Sequence, residues 1–358
     1  MSMTESQPAT YRPVRLNREF FSEKMMEDYQ KRHQKIWQDL SVEERGVIHA
    51  EFTSSLRVLE ESLATASPLF FISHARWVQS RLTAESFSAE AIRAFFRSFK
   101  EVVATSLPED YRKDAEMFVT SAVSALESIP MDLGETHRDE SALSPKAGAF
   151  LQHILAGEVA KARTVIDREL AAGIPFREIY SGIFRPVLQE TGRLWQQNKV
   201  TIAQEHFVTD VVRRTMEQLH TQIAGSNRIS RHKKTVVAAC VGEELHDVGM
   251  RMVADFFDLD GWNVYYIGAN TPAKSIISAV KDQDADVVAL SITLPVYLSD
   301  LHYLIRSLRA DPATAQVRII VGGFPFTIIP DLWRQVGADA VAVSAEEAVS
   351  AAGRLTAG

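Results

Sequence analysis

A chain of 358 residues with 46% apolar and 24% charged side chains is too long for one ordinary core and too apolar to remain disordered. Its net charge of -7 argues against a dedicated nucleic-acid surface, and a single cysteine, Cys240, excludes an internal disulfide framework. The opening MSMTESQPATYRPVRL lacks the apolar core of a signal peptide, and no run of about 18 apolar residues suggests a membrane span. A cytoplasmic protein of two or three domains is expected.

Residues 1–140 read as an all-helical region after a polar arm. Apolar side chains recur at three- and four-residue spacing in Phe20–Ile48, Leu56–Ser80, Ala89–Ser106 and Tyr111–Ile129, with Ser88 and Pro108 as punctuation. The polar stretch Pro130–Pro145 reads as a linker. Residues 141–230 then read as about four helices, broken at Ala156-Gly157 and Ala172–Pro175. Turns this short pack helices antiparallel, so a four-helix bundle is expected.

After the basic joint Gly225–Lys234 the period changes, and residues 231–358 alternate short apolar runs with amphipathic segments. Strands are expected at Thr235–Val241, Asn263–Ile267, Ala285–Ser291, Val317–Val321 and Ala338–Val343, with helices near 248–259, 272–282, 298–309, 327–335 and 345–355. Near-continuous apolar strands, each followed by a helix, predict a doubly wound five-stranded parallel sheet. The fold class is therefore multidomain α and α/β. Such a sheet takes its ligand at the carboxyl ends of the strands, so the loops after Val241, Ile267, Ser291 and Val321 are the ones to inspect.

The first of these loops reads Gly242-Glu243-Glu244-Leu245-His246-Asp247-Val248-Gly249. A histidine at a strand end can offer a neutral imidazole to a transition metal, and a carboxylate two positions earlier can take its other N–H, fixing the tautomer and raising its basicity. Gly249 allows a large flat cofactor close to the backbone. Alone, a loop histidine is usually a plain surface residue. Here, however, Ser291-Ile292-Thr293 ends the third strand and Gly322-Gly323 the fourth. Together they read E-x-H-x-x-G, S-x-T and G-G. No G-x-G-x-x-G follows the first strand, which disfavours a dinucleotide site.

This pattern resembles the D-x-H-x-x-G, S-x-L and G-G signature of the cobalamin-binding domains of methionine synthase, corrinoid methyl carriers and light sensors, whose fold is flavodoxin-like. The resemblance covers residues 235–358. It implies that His246 is the lower cobalt ligand and Glu244 its partner. Leu245, Asp247, Val248 and Gly249 would flank the cofactor, and Ser291, Thr293, Gly322 and Gly323 would line the pocket of its displaced nucleotide tail. Glu244 stands where aspartate is usual and Thr293 where leucine is usual.

The bundle contains Trp195 followed by Glu205-His206, W-x9-E-H in GRLWQQNKVTIAQEH. Ahead of a cobalamin domain this resembles the cap of the light-responsive cobalamin repressors, as does FREIYSGIFRPVLQETGRLW. The resemblance implies that Trp195, Glu205 and His206 shelter an adenosyl group above the corrin. Gln196 occupies the position where those repressors have a capturing histidine, so a light state through that residue is not expected.

In the N-terminal region PLFFISHARWVQSRL and SLPEDYRKDAEMFVTSAV resemble segments of bacterial cobalamin sensors, and the layout resembles photocobilins, which bind cobalamin with a bilin. His74, Arg76, Trp77 and Arg81, with the aromatics Phe70, Phe71, Phe95 and Phe96, are the candidates for holding biliverdin. Aromatics at this spacing serve equally as core.

The expectation is thus a non-enzymatic light sensor, with adenosylcobalamin between cap and sheet and self-association or a downstream signalling protein as output. Neither nucleic acid nor membrane is expected as a partner. The rival is a corrinoid methyl carrier of a methyltransferase system. A light-independent sensor is a further rival. A mutase is disfavoured because residues 1–140 are too few for a substrate barrel, which takes roughly 200 or more.

Overall fold

The computed structural model describes residues 11–127, 143–226 and 233–357. They form two compact units, each drawn from separate stretches of chain. The first joins the described residues up to 127 with Ile292–Ser307 and Gly323–Ala340, and the second takes the remainder. No helix among the described residues is long and apolar enough to cross a membrane.

In the first unit the N-terminal stretch forms α1 (Arg18–Arg32), α2 (Gln34–Asp39), α3 (Val42–Ala64), α4 (Leu69–Ala84), α5 (Ala89–Ser106) and α6 (Glu109–Glu127). The apolar run 20–48 is not one helix. The chain leaves helical geometry at His33 and is extended at Leu40 and Ser41, where Ser41 and Glu44 build a capping box that starts α3. The run 56–80 is likewise divided, between Thr65 and Pro68. Phe52 stacks on Phe95 at 4.4 Å, and Phe71, Phe99 and Tyr29 close around them with almost no exposed surface. Each such buried ring contributes about 1.5–3 kcal/mol.

Three glutamates of α3, Glu51, Glu60 and Glu61, are also buried in this unit. Each has a partner, as a buried charge requires. Glu51 pairs with Arg81 of α4. Glu60 accepts from the Leu16 N–H at 2.6 Å, and Glu61 accepts from the Tyr11 hydroxyl at 2.5 Å and from Ser299 at 2.8 Å. The segment 11–17 is therefore strapped along α3, and it also donates from Arg12 N–H to the Ala64 carbonyl and from Tyr11 N–H to that of Gln335. Burial pushes the Glu61 carboxyl up to about 7, opposed by the hydrogen bonds from Tyr11 and Ser299.

The second unit begins with α7 (Pro145–Leu155), α8 (Val159–Ala171), α9 (Phe176–Ile179), a π turn at Tyr180–Phe184, α10 (Arg185–Gln196) and α11 (Ile202–Ser226). The breaks before α8 and α9 fall at Gly157 and Gly173. The π turn is explained by Pro186, which has no N–H for the next α-type bond; the Arg185 N–H reaches back five residues to the Tyr180 carbonyl instead. This single widened turn lets α9 run into α10.

The sheet comprises β1 (Thr235–Val241), β2 (Asn263–Thr271), β3 (Val287–Ser291), β4 (Arg318–Gly322) and β5 (Ala340–Ala342) in the order β2-β1-β3-β4-β5. The pairs β1–β2, β1–β3 and β3–β4 are parallel. Between strands run α12 (Val248–Leu259), α13 (Ala273–Asp282), α14 (Leu298–Ala310), α15 (Pro325–Ile328) and α16 (Leu332–Val336), with α17 (Ala345–Leu355) last. β1 is buried along nearly its whole length, as a central strand covered on both faces must be. The expected helix at 327–335 is two short ones, because the chain is extended at Ile329 before Pro330. The strand order reverses between β1 and β3, so the loop after β1 lies at the switch point where α/β sheets take ligands.

Candidate functional site

The loop between β1 and α12 is held from three directions. The Asn270 N–H at the end of β2 donates to the Glu244 carbonyl at 2.9 Å. The Glu244 side chain is fully buried, and its Oε1 accepts both the His246 backbone N–H at 3.1 Å and the imidazole Nδ1–H at 2.5 Å. A buried carboxylate thus fixes the ring. The His246 side chain itself remains 58% exposed, and Nε2 makes no hydrogen bond among the described residues. A carboxylate accepts only, so Nδ1 carries the hydrogen, and in the neutral ring Nε2 carries the lone pair. This is the donor set that a soft-to-borderline metal takes.

The electrostatics agree. The hydrogen bond from Glu244 raises the His246 pKa, burial opposes it, and the charges of Glu244, Glu205 and Asp247 raise it further. Basicity raised in this way strengthens the nitrogen as a ligand, although a proton competes for the same lone pair.

The bundle also leaves candidate residues exposed. Trp195, at the end of α10, is 40% exposed, and Ile202, Phe207 and Leu245 are also open to solvent. Glu205 accepts from Thr209 at 2.9 Å, and the exposed His206 lies 3.5 Å from it. Large apolar side chains left uncovered beside polar ones are characteristic of a ligand or partner surface.

Register brings the remaining motif residues into line. Cys240 pairs with Ser291, and Ser291 with Gly322, so the serine of S-x-T and the first glycine of G-G lie side by side at the ends of β3 and β4. A Cβ on Gly322 would lie 2.7 Å from the Ala342 carbonyl. Gly323 has φ +108, and a Cβ there would fall 1.9 Å from the Ile292 carbonyl, so no other residue fits. Gly249 differs: no atom comes within 4 Å of its Cβ position, so the protein's own packing does not require glycine. Open space beside an exposed imidazole suits a flat cofactor lying on the backbone.

Some expected residues are otherwise engaged. Val248 is buried, and the Asp247 carboxylate is bound by Arg213 and Tyr266. Thr293 is half-buried after β3. Cys240 is buried and its thiol is pushed up to about 12 by burial, with Glu244 and Asp247 adding to the shift. In the N-terminal helices His74 is bonded to Ser55 at 3.0 Å and stacked on Trp77, and burial lowers its pKa to about 4. Arg81 lies over the same indole and pairs with Glu51 and Glu85, while the Arg76 Nε is buried without a partner among the described residues.

Sequence reading missed Asn270, Tyr266 and Arg213. It ended β2 at Ile267, but the strand continues to Thr271 through two register shifts against β1, with Gly268 and Asn270 at positive φ. Gly268-Ala269-Asn270 carries a bulge signal that was available.

Residues 234–353 match the family model described as B12 binding domain, and residues 147–220 match a second model of the same description. The chain therefore carries cobalamin-binding domains: the sheet domain, and the helical bundle ahead of it. Among curated relatives, dimethylamine corrinoid protein 2 of Methanosarcina acetivorans is 24% identical over 204 residues, covering 57% of this chain and 86% of the relative. Trimethylamine corrinoid protein 1 of the same organism is 24% identical over 189 residues, covering 53% and 87%. The solved monomethylamine corrinoid protein of Methanosarcina barkeri superposes with TM-score 0.51 at 18% identity, over 58% of this chain and 96% of that one. That likeness shows the fold.

Proposed function

We propose that the chain is a corrinoid carrier that holds cobalamin with its own base displaced, His246 as lower cobalt ligand, and a methyl group presented to partner methyltransferases. The observation that carries this reading is the exposed His246 imidazole fixed by the buried Glu244 at the switch point of the sheet. Bound cobalamin would supply a cobalt–carbon bond able to give up its carbon group. Glu244 holds the His246 tautomer, Gly249 leaves room beside the ring, and Trp195 offers an apolar lid. The similarity to dimethylamine and trimethylamine corrinoid proteins supports methyl handover over light sensing. On this reading the protein carries a group between other enzymes and catalyses nothing alone.

A second reading, an adenosylcobalamin light sensor, is favoured by the cap. Trp195 ends α10 while Glu205 and His206 begin α11, so the three sit at one end of the bundle, where a bulky upper group could be sheltered. A biliverdin site is not carried forward, because His74, Trp77 and Arg81 are bonded to one another and to α3. One experiment separates the two readings. Full-length protein is loaded with methyl- or adenosylcobalamin in the dark, then followed by absorption under light and with a thiol methyl acceptor plus methyltransferase. Methyl loss to the acceptor, with a light-stable adenosyl complex, supports the carrier. Rapid light-driven change of the adenosyl complex without methyl turnover overturns it in favour of the sensor. His246→Ala should lose tight binding of both forms.

A further inference from the structure

Asp247 stands at the N-cap of α12, where an aspartate ordinarily accepts from the first free N–H groups of the helix. Here it makes no such bond. Its carboxylate is held from two sides instead. Arg213 of the bundle helix α11 donates to Oδ1 at 2.7 Å, and the Tyr266 hydroxyl of β2 donates to Oδ2 at 3.2 Å. Both carboxylate oxygens are thereby fixed one peptide away from His246. Further along, the bundle and α12 meet again: His220 of α11 lies 3.0 Å from Asp258, and Tyr180 of the π turn donates to the buried Asp255 at 2.9 Å. These contacts, with Phe176 and Tyr180 packed on Phe256, join the bundle to α12 without the Arg213–Asp247 pair. The Arg213–Asp247 pair therefore has a narrower task than attachment.

We propose that Arg213 is a positioning residue for the cobalt ligand. Through Asp247 it sets the loop that carries His246, so the imidazole is presented properly only when α11 is seated against the loop. The assignment rests on the reading of His246 as lower ligand. It follows from three things: a carboxylate withdrawn from helix capping, bonded on both oxygens, and adjacent in sequence to the ligand. Arg213 is the only one of the two donors that comes from the bundle, so it makes the ligand's geometry depend on the cap.

The test uses the full chain labelled with ¹⁵N-histidine and loaded with cob(II)alamin. In the electron paramagnetic resonance spectrum, histidine nitrogen on cobalt gives a splitting whose line count changes with that label. Arg213→Gln and Asp247→Asn should still bind cobalamin but lower the histidine-coordinated fraction about tenfold, the range for groups that orient a ligand. Arg213→Lys should retain most of it. In the unloaded chain, the first two variants should also speed amide hydrogen exchange over residues 243–249 and leave the rest of α12 unchanged. A wild-type coordinated fraction and wild-type exchange in both variants would overturn the assignment of Arg213 alone. A wild-type protein with no histidine splitting would instead overturn the His246 reading, and this inference with it.

Discussion

At the scale of single residues, the site depends on a contrast within one short loop. Glu244 is wholly buried and His246 is mostly exposed, yet the two are bonded. The buried partner makes the exposed one rigid. Glu244→Gln keeps an acceptor oxygen for the ring but removes the charge that makes the imidazole a strong donor. We expect cobalamin affinity to fall by about 10–100-fold with the fold intact; equilibrium binding against wild type measures this, and an unchanged affinity would show that the carboxylate charge plays no part. His246, Glu244, Ser291 and the paired glycines stand out in the sequence as candidates, because each stands at or just after the end of a strand run. Arg213 and Tyr266 do not. An arginine on a helix face and a tyrosine in a strand have many ordinary uses, and only the fold shows that both reach one carboxylate.

Among the elements, strands and later helices were legible because each strand reads as an unbroken apolar run with a turn residue beyond it. The N-terminal helices were legible in kind but not in extent. Periodicity continues across His33, Leu40 and Thr65, and the breaks there come from local capping, which hydrophobic spacing does not register. The π turn is a further case: FRPV suggests a break, but Pro186 is accommodated by widening one turn. That turn carries Tyr180, whose hydroxyl donates to the buried Asp255. Tyr180→Phe leaves this carboxylate with one donor fewer and should cost about 1–3 kcal/mol. Chemical denaturation checks the figure, and a change below about 0.5 kcal/mol, the scale of an ordinary surface substitution, would mean that Asp255 finds another partner.

For the whole molecule, Glu61 gives a pH dependence. Its carboxyl is raised from 4.5 to about 7 in the folded state. A group with a raised folded pKa favours folding fully below its unfolded value, and that advantage is lost as pH rises through the folded value. Between pH ~4.5 and ~7 the loss amounts to about 3 kcal/mol, from the size of the shift. Glu61→Gln has no charge to bury, so it should be more stable than wild type at pH 8 and lose that advantage by pH 5. Urea midpoints at the two values test this; a pH-independent difference would mean that Glu61 is ionised throughout.

The two units do not follow the linkers. Sequence reading cut the chain at linkers, whereas Ile292–Ser307 and Gly323–Ala340 cluster with the N-terminal helices. Nothing in their composition sets them apart from the rest of the sheet domain. This discontinuity matters for a chain made from its N-terminus at roughly 5–20 residues per second. Tyr11 and Glu61 leave the ribosome well ahead of their partners, since Ser299 follows Glu61 by 238 residues. Over that interval the nascent N-terminal helices carry a carboxylate awaiting its second donor. The first unit can be completed only after the intervening sheet strands have been made.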